Sequence, residues 1–132
     1  VVDPSAPGQI LAVLDWEMAS LGDPLTDLGT TLAYWAMATD DPLLRPFNLT
    51  WLPGNLNRQE VLDYYGQQSG IDTTDFLFYY LLGNCKVAVI CQQIYARYCR
   101  GTAADPRFAG LGRVVKALAA QGRSALERGY MN

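Results

Sequence analysis

Ile10-Leu11-Ala12-Val13-Leu14-Asp15-Trp16-Glu17 leads into Gly22-Asp23-Pro24-Leu25-Thr26-Asp27-Leu28, and this stretch decides how the rest of the chain is read. An apolar run ends on a carboxylate, a turn follows, and a helix start carries two more carboxylates. A strand of Val, Ile and Leu that ends in Asp can present one acid at the rim of a core. Such a hard oxygen ligand suits Mg²⁺ in phosphate chemistry. The same spacing also describes a buried strand closed by an ordinary turn, because Asp is a common turn former.

Around this stretch the chain has the make-up of a globular domain. It has 132 residues, half of them apolar and 17% charged, enough for one core and too apolar for disorder. No apolar run approaches the roughly 20 residues needed to span a bilayer. The opening Val1-Val2-Asp3-Pro4 has neither the basic nor the apolar part of a signal peptide. Cys85, Cys91 and Cys99 fall in one helical stretch, without metal-ligand spacing and without any histidine. They read as reduced thiols of a cytoplasmic protein, in the core or on a helix surface.

The net charge of −3 conceals two unlike halves. Residues 1–75 carry eleven acids against Arg45 and Arg58, whereas residues 76–132 carry eight bases against Asp105 and Glu127. An acidic front half accords with a metal site and excludes nucleic acid there. The bases behind it fall at helical intervals, as on solvated helix faces.

The periodicity predicts a mainly α fold, a short N-terminal β-hairpin followed by about four helices. Gln9–Leu14 reads as a buried strand paired with Val1–Asp3 across the Pro4–Gln9 turn. Asp23 caps a first helix with Pro24 in its first turn, and that helix reaches about Ala38 before Asp40-Asp41-Pro42. Residues 43–56, with Pro46, Trp51, Pro53 and Gly54, read as a long irregular loop. Asn57 and Glu60 form a capping box for a second helix ending at Gly70. Thr73 or Thr74 caps a third, apolar almost all round and therefore central. Pro106 starts the last, with Phe108, Leu111, Val115, Leu118 and Ala119 turned inward.

The quoted residues resemble the aminoglycoside phosphotransferase and choline kinase-like family, whose metal-binding segment has hydrophobics, D-W/F-E, a spacer and G-D-P-x-x-D-L. Asp15-Trp16-Glu17 and Gly22-Asp23-Pro24-Leu25-Thr26-Asp27-Leu28 match it nearly position by position. The version found here looks closest to the branch also fused to acyl-CoA dehydrogenases. The resemblance implies the helical part of a kinase-like C-lobe, with residues 1–22 as hairpin and metal-binding segment and 23–132 as helical subdomain.

It implies further that Asp15 ligates Mg²⁺ bridging the phosphates of ATP, and so binds that cofactor through the metal. Glu17, two residues on and on the same side of an extended stretch, supports the metal, contacts the acceptor or is a simple surface acid. Asp27, favoured by the helix N-terminus, holds the catalytic loop, and Asp23 is a cap only. Trp35, Trp51, Tyr64, Tyr65, Tyr79 and Tyr80 divide between core and acceptor-pocket wall. The family's catalytic loop, H-G-D-x-x-x-x-N, is absent from a sequence without histidine. The chain therefore reads as a C-terminal part with no catalytic residue of its own, expected to be inactive alone and to self-associate as a homodimer. The parent protein is expected to move the γ-phosphate to a small-molecule hydroxyl. A kinase-like helical domain used only for binding is the alternative.

Overall fold

The computed structural model describes residues 1–131. It comprises a two-stranded antiparallel hairpin, β1 (Val2–Asp3) and β2 (Ala6–Ile10), followed by four α-helices: α1 (Pro24–Tyr34), α2 (Arg58–Ser69), α3 (Phe76–Cys99) and α4 (Leu111–Arg128). Short 3₁₀ turns lie at Trp16–Met18, Pro42–Phe47 and Pro106–Gly110.

The hairpin is expected from the sequence, but its second strand is placed differently. It covers Ala6–Ile10, not Gln9–Leu14, and every residue of it is exposed. The cause is the turn. Asp3 accepts hydrogen bonds from the Ser5 N–H at 2.8 Å and the Ser5 hydroxyl at 2.6 Å, closing the chain tightly at Pro4-Ser5. This local Asx-type bond reverses the backbone earlier than the Pro/Gly composition suggests. Leu11–Leu14 continues beside Val1 through irregular bonds, Leu11 N–H to Val1 O at 2.9 Å and the Val1 ammonium to Ala12 O at 2.8 Å.

Helix α1 opens as the sequence indicates. The Asp23 carboxylate accepts from the Leu25 N–H at 2.9 Å and Pro24 stands in the first turn. The helix stops at Tyr34 instead of near Ala38, because the following loop takes over its last carbonyls. Asn48 donates its amide to Tyr34 O, and the Thr50 hydroxyl donates to Ala36 O at 2.8 Å. The loop also contains the 3₁₀ turn Pro42–Phe47, capped by Asp41 and anchored by buried Leu44. Residues 43–56 thus fasten down the end of α1.

At α2 both halves of the capping box form between Asn57 and Glu60, and Gly70 closes the helix with φ 70°. Helix α3 starts later than a threonine cap allows. Asp72 accepts from the N–H and hydroxyl of Thr74, so Thr74 serves a preceding turn, and Asp75 precedes the first helical residue without a side-chain cap. In α4 the inward face is Val114, Ala117, Leu118 and Ala125. Ala119, expected inside, is exposed, because at about 100° per residue it lies off the face defined by Val114, Leu118 and Ala125.

Helix α3 is central, packing against α1 on one side and α4 on the other. Leu25, Leu28, Leu32, Leu62, Phe76, Tyr80, Ala125 and Met131 form one apolar cluster, and Ala33, Leu44, Val87, Cys91, Val114, Ala117 and Leu118 a second. The α1–α3 contact is backbone on backbone. A Cβ on Gly29 would overlap the carbonyl of Tyr79, and one on Gly83 the carbonyl of Gly29. Among the described residues no helix is long and apolar enough to cross a membrane.

Candidate functional site

Asp15 sits where the hairpin region turns toward α1. Its backbone is left-handed, φ 71° and ψ 49°, and it is the only non-glycine residue with positive φ among those described. Asp and Asn tolerate this conformation better than most residues because their short polar side chains bond locally. The inversion converts an extended run into the 3₁₀ turn Trp16–Met18 and leaves the Asp15 carboxylate exposed and free of hydrogen bonds among the described residues. The Trp16 indole N–H donates to Val13 O at 2.7 Å, which pins the turn from outside.

Asp15 lines an open depression of about 770 Å³ together with Trp16, Gly22, Asp23, Asp27 and Lys86. The structure therefore brings Asp15, Asp23 and Asp27 to one concavity at the N-terminal end of α1. It does not bring Glu17 there. Glu17 is exposed on the 3₁₀ turn, so the two-residue step that would align it with Asp15 in an extended strand does not apply. Among the described residues no group of three or more acidic or thiol side chains converges tightly enough to cage a metal. Asp15 supplies one hard oxygen donor. That fits Mg²⁺, which keeps several waters and takes one or two carboxylates plus substrate phosphates.

The other two acids are held differently. Asp23 has a second partner besides its cap: the Tyr79 hydroxyl of α3 donates to its outer oxygen at 2.6 Å. That bond first, then lost hydration and the negative charges of Asp23 and Asp75, raise the Tyr79 phenol above its ordinary value. Asp27 is exposed in the first turn of α1 and has no side-chain hydrogen bond among the described residues. Of the aromatics, Tyr65 lines the depression, Tyr80 is fully buried in the core, Tyr64 is exposed and Trp35 donates to Leu56 O at 2.9 Å.

A second polar constellation escaped the sequence reading. Arg58, only 2% exposed, donates from both terminal nitrogens to Asp40 and from Nε to Leu32 O at 3.2 Å. Its guanidinium lies 5.4 Å from the Tyr80 ring centre, and the Tyr80 hydroxyl accepts from Gln121 of α4. Burial raises the Tyr80 phenol, although Arg58 works against that shift. One signal was available: Arg58 is a base in the first turn of α2, where the helix dipole disfavours it, within the acidic half.

The model of the phosphotransferase enzyme family matches residues 1–63, a span that contains Asp15, Asp23 and Asp27. Over those residues this is phosphotransferase-family sequence. Beyond them the likeness continues in curated relatives. The chain is 33% identical over 125 residues to acyl-CoA dehydrogenase family member 11 of Gallus gallus, covering 91% of this chain and 16% of that protein. It is 31% identical over 115 residues to acyl-CoA dehydrogenase family member 10 of Mus musculus, covering 84% and 11%. With member 11 of Homo sapiens it shares 26% over 124 residues, covering 92% and 16%. The phosphotransferase likeness thus lies in the branch that includes acyl-CoA dehydrogenase family members, and the chain spans about a sixth or less of their length. No solved structure matches it significantly.

Proposed function

We propose that this chain is the metal-binding and helical part of a phosphotransferase that moves the γ-phosphate of ATP to a hydroxyl of a small molecule. The observation that carries the reading is the Asp15 carboxylate, presented free at the depression by an inverted backbone in the segment that leads to the Asp23-capped helix. Mg²⁺ held there would neutralise phosphate charge in the loose transition state of phosphoryl transfer. Asp15 would be its protein ligand, and the Asp23–Tyr79 bond fixes the start of α1 beside it. Asp27 in the same concavity presents an unused carboxylate to the backbone of a catalytic loop. Catalysis of this kind is chiefly positioning and charge stabilisation.

The 132 residues contain no histidine, so an H-G-D-x-x-x-x-N segment has to come from elsewhere in a longer protein. On this reading the isolated chain performs no transfer. The similarity to acyl-CoA dehydrogenase family members favours a hydroxyacyl acceptor over an aminoglycoside, choline or sugar. Cys85, Cys91 and Cys99 are all free, as suits a reducing, cytoplasmic setting. Incubating the longer protein with ATP, Mg²⁺ and a panel of alcohols tests the reading through formation of a phosphorylated product. No ATP-dependent product with any alcohol, under conditions where the protein binds nucleotide, would leave the alternative of a binding-only helical domain.

A further inference from the structure

The depression holds three carboxylates and one base, and the base is unaccounted for. Lys86 of α3 is among the residues that line it. The near contact of Gly29 with Gly83 lets α3 lie directly against α1. Lys86, one turn beyond Gly83, is thereby carried across the Thr26–Thr30 face of α1. Its ammonium stands 3.5 Å from the Thr30 hydroxyl, and that hydroxyl already donates to Thr26 O at 2.9 Å. The three acids lining the cavity give Lys86 no ion pair among the described residues. Asp23 is engaged by Leu25 and Tyr79. Asp15 lies in the segment before α1 and Asp27 in its first turn, and neither is paired with Lys86 among the described residues.

We infer that Lys86 selects the acceptor by charge: its ammonium holds a carboxylate or phosphate group of the molecule that enters the depression. The inference rests on reading the depression as the acceptor site. The acidic composition of the front half would tolerate a cationic acceptor, and Lys86 selects against one. Within the cavity Asp23 is already bonded and Asp15 is assigned to the metal. Lys86 is the group left with donors to spare for a ligand.

The test compares two small alcohols of opposite charge, glycerol 3-phosphate and choline. Each is titrated without nucleotide against wild type, Lys86→Met and Lys86→Arg by isothermal titration calorimetry. Losing a hydrogen bond to a charged group predicts about tenfold weaker binding of glycerol 3-phosphate by Lys86→Met, with Lys86→Arg close to wild type. Choline should bind no more weakly to Lys86→Met than to wild type. Unchanged glycerol 3-phosphate binding in Lys86→Met, preference of wild type for choline, or binding of neither overturns the assignment. Lys86 is exposed, and an unchanged melting temperature shows that the variant still folds. A separate Mg²⁺–ATP titration of Asp15→Asn addresses the phosphotransfer reading. If that variant binds Mg²⁺–ATP like wild type, the metal assignment fails while the charge preference measured without nucleotide stands.

Discussion

Asp15 and Arg58 show how differently two charged residues are used. Asp15 is exposed and unpartnered on an inverted backbone, so its side chain contributes little to stability. Asparagine keeps its size and tolerates positive φ. Asp15→Asn is therefore expected to change stability by no more than about 0.5 kcal/mol, as surface substitutions usually do, while nearly abolishing phosphoryl transfer in the longer protein. Unchanged turnover at saturating Mg²⁺ would refute the metal role. Arg58 is the reverse case. Removing a buried guanidinium leaves the Asp40 carboxylate, only 10% exposed, without its counter-charge. Arg58→Met should cost about 3–5 kcal/mol, the usual penalty for breaking a buried pair from one side. Adding Asp40→Asn should recover part of that loss, and denaturant titration of both variants measures it. Asp15 was legible because a motif of fixed residue types surrounds it. The Arg58–Asp40 pair joins residues 18 apart, and nothing in local sequence couples them.

At the scale of elements, local chemistry explains which boundaries the sequence disclosed. The capping box at Asn57–Glu60, the Gly70 stop and the Asp23-Pro24 start each act within four residues, and all three appear where expected. The end of α1 depends on Asn48 and Thr50, more than ten residues on, and was misplaced. The hairpin was shifted because the two Asp3–Ser5 bonds outweighed composition. The closest helix contact was also hidden, since Gly29 and Gly83 carry no motif and matter only once α1 and α3 are side by side. An isolated helical glycine normally gains stability on replacement by alanine, by up to about 1 kcal/mol. Here the sign reverses. Gly83→Ala pushes a methyl into the Gly29 backbone, which cannot swing aside as a side chain can. Overpacking of this kind typically costs about 1–3 kcal/mol, so thermal unfolding should show Gly83→Ala below wild type. Gly122→Ala is the control, because its added Cβ would meet only side-chain atoms at 3.8 Å.

For the whole molecule, the unequal distribution of burial matters most. Two apolar clusters seal the helical body, yet Ile10, Leu11, Val13, Leu14, Trp16 and Leu21 are all at least 55% exposed around the hairpin and the Asp15 turn. Contiguous exposed apolar surface beyond a few hundred Å² is uncommon on monomers and finds partners. An open strand edge is one route for such pairing. With β2 at Ala6–Ile10, that edge contains Pro7, which cannot donate to a ladder, and Gly8, which weakens a strand. Side-chain burial between two copies of Leu11–Trp16 is the stronger route, and a symmetric dimer satisfies both copies at once. Light scattering of the 132-residue chain should therefore show a concentration-dependent dimer, and Leu11→Lys with Leu14→Lys should return it to monomer by placing like charges across the two-fold axis. Neither leucine is buried, so the double variant should keep the wild-type melting transition of the helical body. A monodisperse monomer of the unmodified chain at high concentration would refute the pairing. A dimer that survives both lysines would move the interface away from Leu11–Trp16, to another exposed apolar face such as Phe78, Leu82 and Val89 on α3.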